Sequence, residues 1–453
     1  MSWMQRLWET YEYCGRSSRF NRDAPLPVGH VRQQAHIEVV LNGDGNFLRA
    51  AVVPKKETII PATEESAGRT RKAVPHPLCD KIQYCAGDYR QFGGEKDDGY
   101  PAYLQQLREW SAFASNARLS AILSYVARSS LVGDLVKASV LHSGADGKLL
   151  TTLPPGASAP EIFRHLTPDP NTKQRDQGSA FVRWVVHIPG DEISAVWEDW
   201  VLRESWVRFL ESRDSVRDMC MVSGEVVALA LNHPKKIRHP GDGAKLLSSN
   251  DATSYTFRGR FENSGQTYSV GSTVSQKAHN ALRWLIDRQA FKSGNQVFLA
   301  WAKGGGCVPD PLAGSADLFE AAPVKAHVTA LPHGDIEQQF ALRLKSAIDG
   351  YSAGLDDSET VSLLGLNSAT PGRLAITCYR EMTARKFLDG VVSWHYSAAW
   401  HQDLGRHCRF VGAPSPKDIA EAAYGRRADE NLRMATVERL LPVSWMAGRF
   451  RVT

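Results

Sequence analysis

What this chain lacks narrows its chemistry before any motif is found. Among its 453 residues no apolar run reaches the roughly 18 to 20 needed to cross a bilayer, and the start, MSWMQRLWETYEYCGR, carries acidic residues and no signal-peptide core. The expectation is a cytoplasmic protein without membrane contact. The seven cysteines, Cys14, Cys79, Cys85, Cys220, Cys307, Cys378 and Cys408, form no CxxC pair, which argues for reduced thiols and against a zinc ribbon or disulfide framework. There is no GxGxxG, Walker lysine loop, GxSxG or HExxH. Ala145-Asp146-Gly147-Lys148 lacks the upstream glycine of a phosphate loop, and Gly304-Gly305-Gly306 stands without a dinucleotide fingerprint. His36 and Glu38 have the HxE spacing of nucleobase deaminases, yet no PCxxC accompanies them. His401, His407 and Cys408 put three ligand types on one segment with no fourth nearby. The expectation is therefore no catalytic residue, no metal and no cofactor. A large excess of charge of one sign is also missing: 54 Lys and Arg against 49 Asp and Glu leave +5, which permits a nucleic-acid partner without requiring one.

What is present is a chain of ordinary globular make-up. Hydrophobic residues at 43% and charged residues at 23% exclude disorder, collagen and coiled coil, and the length allows two to four domains with ample core. Residues 36–41 (HIEVVL) and 47–53 (FLRAAVV) read as a hairpin around Asn42-Gly43-Asp44-Gly45-Asn46. Periodicity then vanishes over 54–99, which reads as a long loop, and residues 104–126 return to helical spacing. The Pro- and Thr-rich stretch 150–177 reads as a linker or surface excursion. Residues 180–188 form an expected strand and 193–210 a helix pair carrying Trp197, Trp200 and Trp206, aromatic rings expected in the core. Strands are expected at 296–302 and 373–379, and helices at 335–348, 381–392 and 429–441. Without a regular βαβ rhythm, the fold class is α+β: an irregular body of antiparallel hairpins, sheets and helices, divided into an N-terminal body, 1–330, and a helix-richer region, 331–453.

Cations are unevenly spread. Residues 232–290 hold nine Lys or Arg against four Asp or Glu, which equals the excess of the whole chain. In 254–261 (SYTFRGRF) alternation puts Tyr255, Phe257 and Phe261 on one face and Arg258 and Arg260 on the other. A helix over 274–291 sets Val274, Ala278, Ala281, Leu282, Leu285 and Ile286 against a polar face of Gln276, Lys277, Asn280 and Arg283. Such groups can hold phosphates and read base edges, or they can form a solvated basic surface. A second cluster, Lys55, Lys56, Arg69, Thr70, Arg71 and Lys72, surrounds Gly68, where backbone can approach a ligand; a charged loop offset by Glu57, Glu64 and Glu65 is the other reading.

These stretches resemble a known family, the large subunit of the type I-C CRISPR surveillance complex (Cascade), a CRISPR-associated protein of the Csd type. The resemblance rests on QAHIEV (34–39), IPATEESAGRT (60–70), PHPLCDK (75–81), GAKLLSSND (243–251), FRGRF (257–261) and VSQKAHNALRWL (274–285), covers the chain to about residue 302, and thins after that. It implies a non-catalytic subunit that assembles with other Cascade subunits and crRNA, inspects target duplex DNA for a protospacer-adjacent motif (PAM), helps open the duplex into an R-loop, and supports recruitment of a helicase-nuclease. Members continue into a C-terminal helical bundle, so the resemblance implies that this bundle is missing here. On this reading Gly68, Arg69, Thr70, Arg71 and Lys72 meet Gln276, Lys277, Asn280 and Arg283 as a minor-groove PAM reader, with Lys277 able to wedge into the duplex, and Lys55, Lys56, Lys245, Arg258 and Arg260 contact phosphates. The competing expectations are a metal-dependent nuclease of the same defence system and a scaffold that never touches DNA.

Overall fold

The computed structural model describes residues 2–16, 24–69, 74–95, 99–153, 158–213, 216–239, 241–248, 261, 268–323, 336–370, 372–403, 409–425 and 427–446. The fold is mixed α+β, with helices interspersed among several small sheets. It divides into two compact units: Leu26–Arg217, and Met1–Pro25 together with Asp218–Thr453. This differs from a division near residue 330. Strand Gln296–Ala302 pairs along its length with Thr360–Thr370, and a cut at 330 would sever that ladder.

In the unit Leu26–Arg217 the sheet is three-stranded. His30–Asn42 lies at its centre, antiparallel to Phe47–Pro61 and parallel to Val182–His187. Alternation explains the central strand: Ala35, Ile37, Val39 and Leu41 point to one face and are all buried. The connecting turn is closed by the Asn42 side-chain oxygen, which accepts the N–H groups of Asp44 and Asn46. Gly45 there has φ +77°, and a Cβ would stand 2.4 Å from the Ala121 carbonyl, so only glycine fits. Residues 54–61, expected to begin a loop, instead prolong the edge strand. A bulge opposite His36 accommodates Pro54 and puts Lys55 at φ +44°, which is how an edge strand tolerates a missing N–H donor.

Helices Tyr100–Phe113, Ala117–Val126 and Trp200–Arg213 contribute Trp110, Ile122 and Trp206 to the core beside this sheet. Asn116 caps the second of them, accepting from the N–H groups of Arg118 and Leu119. The tryptophan expectation divides. Trp206 is fully buried, donates from Nε1 to the Gly29 carbonyl at 2.9 Å, and meets the Trp110 ring edge-on at 4.9 Å. Trp200 is 64% exposed: it opens the helix on the side away from the buried Leu202, Trp206 and Phe209. Within the stretch read as a linker, Ile162, Phe163 and Leu166 enter the core and the buried Gln177 amide bonds to His142 and Leu150, so it folds as part of the unit.

The second unit is built on an antiparallel sheet ordered Phe291–Ser293, Gln296–Ala302, Thr360–Thr370, Arg373–Thr383. Every residue of Gln296–Ala302 is buried, which requires cover on both faces. Val297, Leu299 and Trp301 pack with Met4 and Leu7 of the N-terminal helix Trp3–Arg16 and with Ala281 and Leu285 of the helix Ser272–Gln289. Phe298, Ala300 and Ala302 pack with Phe340 and Leu344 of Ile336–Ser352 and Phe387 of Ala384–Ser397. The strand's period of two thus feeds two cores. The last expected helix corresponds to Glu430–Met446, while 381–383 belongs to the strand Arg373–Thr383 rather than to the helix after it. No single helix among the described residues is long and apolar enough to cross a membrane.

Replacing Trp206 by Ala is expected to cost about 3 to 5 kcal/mol in urea unfolding, whereas Trp200→Ala should stay within about 0.5 kcal/mol. Equal losses at the two positions would contradict the burial assigned to them.

Candidate nucleic-acid interface

The first cluster of expected site residues is organised by a buried ion pair. Thr63 and Ser66 form a reciprocal capping box that starts the short helix Glu64–Ala67. Gly68 follows at φ −98°, a value open to any residue. Arg69 then turns inward: it donates to both Asp80 carboxylate oxygens at 2.6 and 2.7 Å and to the Val74 carbonyl at 2.8 Å, and it lies 4.6 Å above the Tyr84 ring. Asp80, 0% exposed, also accepts the N–H groups of His76 and Lys81. The His76 ring reaches Ser66 Oγ at 2.9 Å. Arg69, expected at a base edge, is thus a clamp that fixes position 69 against position 74. Thr70, Arg71 and Lys72 lie outside the described residues. Lys55 and Lys56 are exposed at the bulge of the edge strand, next to a Glu57 paired with Arg32 at 3.3 Å.

The second cluster belongs to the other unit, so the two parts of the expected reader fall in different compact units. Helix Ser272–Gln289 has the apolar face read from sequence, but its polar face is not an open row. Lys277 Nζ meets Glu12 Oε1 of the N-terminal helix at 2.6 Å and lies 5.9 Å from the Tyr11 ring centroid. Gln276 donates to Ser272 Oγ at 3.4 Å. Asn280 is only 4% exposed, and its oxygen accepts from Arg283 at 2.9 Å. Arg283 also grips the carbonyls of Lys235 and Lys236, and burial lowers its pKa to about 10.

That grip holds a basic loop. Within it Arg238 bonds both Asp242 oxygens at 2.8 and 3.0 Å and the Asn295 carbonyl at 2.7 Å. Burial pushes the Asp242 carboxyl up, but Arg238 and the Ala244 amide pull it below its ordinary value. Lys245 reaches Asn232 Oδ1 at 3.3 Å, and its backbone pairs with the strand at Gly372 and Leu374. Lys236 is exposed. Arg258 and Arg260 lie outside the described residues. Sequence reasoning counted Lys235 and Lys236 in the basic segment without singling them out, and it missed Asp80 and Glu12. Only the quoted PHPLCDK stretch hinted at Asp80.

Other candidates resolve into packing. His36 Nδ1 accepts the Phe181 N–H at 3.1 Å, and Glu38 pairs with Arg183 at 2.7 Å. His407 and Cys408 lie outside the described residues, and among the described residues no group of three His, Cys, Asp or Glu could hold a metal ion. A buried pair lies beneath the helix: Ser275 Oγ is 2.8 Å from His233 Nδ1, and His279 Nδ1 is 2.7 Å from the Ser275 carbonyl, which gives that nitrogen the proton. Burial lowers the pKa of His233 to about 4 and of His279 to about 3.

A family model described as CRISPR-associated protein (Cas_Csd1) matches residues 7–446. The chain belongs to this family. The match to the Csd1 family spans both compact units and all the clusters described above. Its role is CRISPR-associated, and membership implies a place in a CRISPR effector complex. A search of curated proteins returns no match.

Asp80→Ala, which leaves the Arg69 guanidinium buried without its carboxylate, should cost about 3 to 5 kcal/mol, and the apolar pair Arg69→Met with Asp80→Leu markedly less. Urea unfolding of the three variants checks this; equal losses would mean the pair is not the strut. A second expectation concerns pH. His233 and His279 have folded pKa values below the ordinary 6.5, so between pH 6.5 and 4 the unfolded chain binds more protons and stability falls as pH drops. Each contributes up to about 1.4 kcal/mol per pH unit in that window. Tm measured from pH 7 to 4.5 should decline, and less steeply for His233→Gln; identical slopes would remove that histidine from the account.

Proposed function

We propose that this Csd1-family protein is the non-catalytic large subunit of an RNA-guided type I-C effector complex. In this reading it recognises the PAM in target duplex DNA, promotes duplex opening and R-loop formation, and supports recruitment of a helicase-nuclease. The observation that carries the reading is the family match over residues 7–446, which runs through both units. Geometry supports a DNA-facing role in two ways. The Arg69–Asp80 clamp fixes positions 69 and 74, which flank the Thr70-Arg71-Lys72 stretch in the sequence. The Arg283 grip on the 235–236 carbonyls and the Arg238–Asp242 pair order a second segment, rich in lysine. Preordered cations bind phosphates at lower entropic cost than mobile ones.

Binding of the assembled complex to a PAM-bearing target duplex should weaken linearly in log salt, by about 0.9 log units per phosphate contact, and exceed binding to a scrambled PAM. The pair Lys55→Ala and Lys56→Ala should reduce that slope by about two units with PAM preference unchanged. The chain with magnesium or manganese should leave duplex and single-stranded DNA intact. Cleavage that vanishes on mutating one carboxylate would make the protein a nuclease, and salt-independent binding of the complex would make it a scaffold.

A further inference from the structure

The N-terminal helix Trp3–Arg16 carries two acids three residues apart, Glu9 and Glu12, of which Glu12 reaches the helix Ser272–Gln289 and Glu9 reaches Lys303. The two acids are held differently. Glu9 is bound from two sides, by Arg6 at 3.1 Å and by Lys303 at 3.1 Å, and Arg6 is anchored in turn to Glu381 at 3.0 Å. Glu12 meets Lys277 at 2.6 Å, and the two side chains are 34% and 25% exposed, so this pair sits where solvent can reach it.

The backbones that carry them are fixed. Leu7 and Thr10 of the N-terminal helix are 0% exposed, as are Ala278, Ala281 and Leu282 of the long helix, and Trp301 Nε1 donates to Thr10 Oγ1 at 3.2 Å. Any change at this edge is therefore a movement of side chains. Lys277 has a four-carbon stem and an ammonium with three N–H donors, of which Glu12 Oε1 takes one. The same ammonium lies 5.9 Å from the centre of the Tyr11 ring, whose face attracts a cation whichever anion accompanies it.

We propose that Lys277, backed by Tyr11, is a phosphodiester site in which the Glu12 carboxylate holds the place of the phosphate until nucleic acid arrives. The proposal rests on the DNA-binding reading above and deepens it. A partly exposed carboxylate–ammonium pair is worth about 1 kcal/mol, so exchanging one anion for another at Lys277 costs little, and a duplex phosphate brings the further gain of counter-ion release. While Glu12 stays in place, a passing backbone meets a neutral pair in place of a free ammonium. A strand that is to engage Lys277 must displace that carboxylate, which penalises encounters that lack other contacts.

The test uses the full chain and a fluorescent duplex of about 20 bp without a PAM, titrated by anisotropy at low salt, where phosphate contacts dominate. Glu12→Gln, which keeps shape and removes the charge, should tighten binding by about 3- to 10-fold, and Lys277→Gln should weaken it by a similar factor. Combined with Lys277→Gln, the Glu12→Gln change should bring no gain. Unchanged affinity for Glu12→Gln, or the same gain with and without Lys277, overturns the proposal, the latter because it would show only a general field effect. A Tm for Glu12→Gln within a few degrees of wild type ties the effect to the site and not to loosening of the helix. If wild type binds with the expected salt slope while Glu12→Gln changes nothing, the carboxylate exchange fails and the DNA-binding reading stands. If wild type binds at no salt concentration, the phosphodiester site is overturned, while the DNA-binding reading is decided by the assembled complex on PAM-bearing duplex.

Discussion

A guanidinium removed from water needs acceptors for its N–H groups, and the loops of this protein are arranged around that demand. Arg69 takes both oxygens of Asp80 and the carbonyl of Val74; Arg118 takes Asp191, Asp199 and the Ile193 carbonyl; Arg238 takes Asp242 and the Asn295 carbonyl; Arg283 takes Asn280 and two loop carbonyls. In each case the planar fork bonds side chain and backbone together, which a lysine could not do from a single nitrogen. The result is that irregular segments, which have no ladder or helical bonds of their own, acquire fixed shapes. Breaking one partner strands a charge in the interior, so these struts are hard to exchange piecemeal.

This use of arginine changes how the basic segments are understood. Their excess charge invites the view that every cation faces a nucleic acid, yet the arginines among the described residues of those segments mostly hold the frame while lysines occupy its edge. Lys55, Lys56 and Lys236 are exposed, and Lys277 is held at the surface by a carboxylate. The division follows from solvation. Guanidinium is weakly hydrated and tolerates burial in bonded form, whereas the ammonium of lysine keeps its water and stays outside.

The larger frame rests on burial of Gln296–Ala302 from both sides. Because alternate side chains of this strand feed two cores, the N-terminal helix and the helix Ser272–Gln289 on one face are coupled through a single sheet to the later helices on the other. That coupling draws the first residues of the chain into the same unit as residues beyond 218. It also brings Glu12 to Lys277, 265 positions away.

Local periodicity was enough to read the hairpin on either side of Asn42–Asn46, the strand 296–302, the long helix with Lys277, the helices expected at 335–348 and 429–441, and the α+β class. The reason is that helical bonds run four residues back and strand faces repeat every two, so their signature lies within a short window. The quoted motifs also sufficed to indicate the family to which the chain belongs. Tertiary structure alone decided that residues 54–61 are strand, since a bulged edge exists only opposite its partner, and that Arg69 and Asn280 turn inward. Tryptophan burial was decided in the same way: Trp206 and Trp200 are alike in sequence, but only Trp206 lies on the side of the helix that meets Trp110 and the Gly29 carbonyl. Asp80 and Glu12 carry no mark in the sequence of the cations they bind, because an ion pair is set by where two backbones come to lie and not by the residues beside each charge.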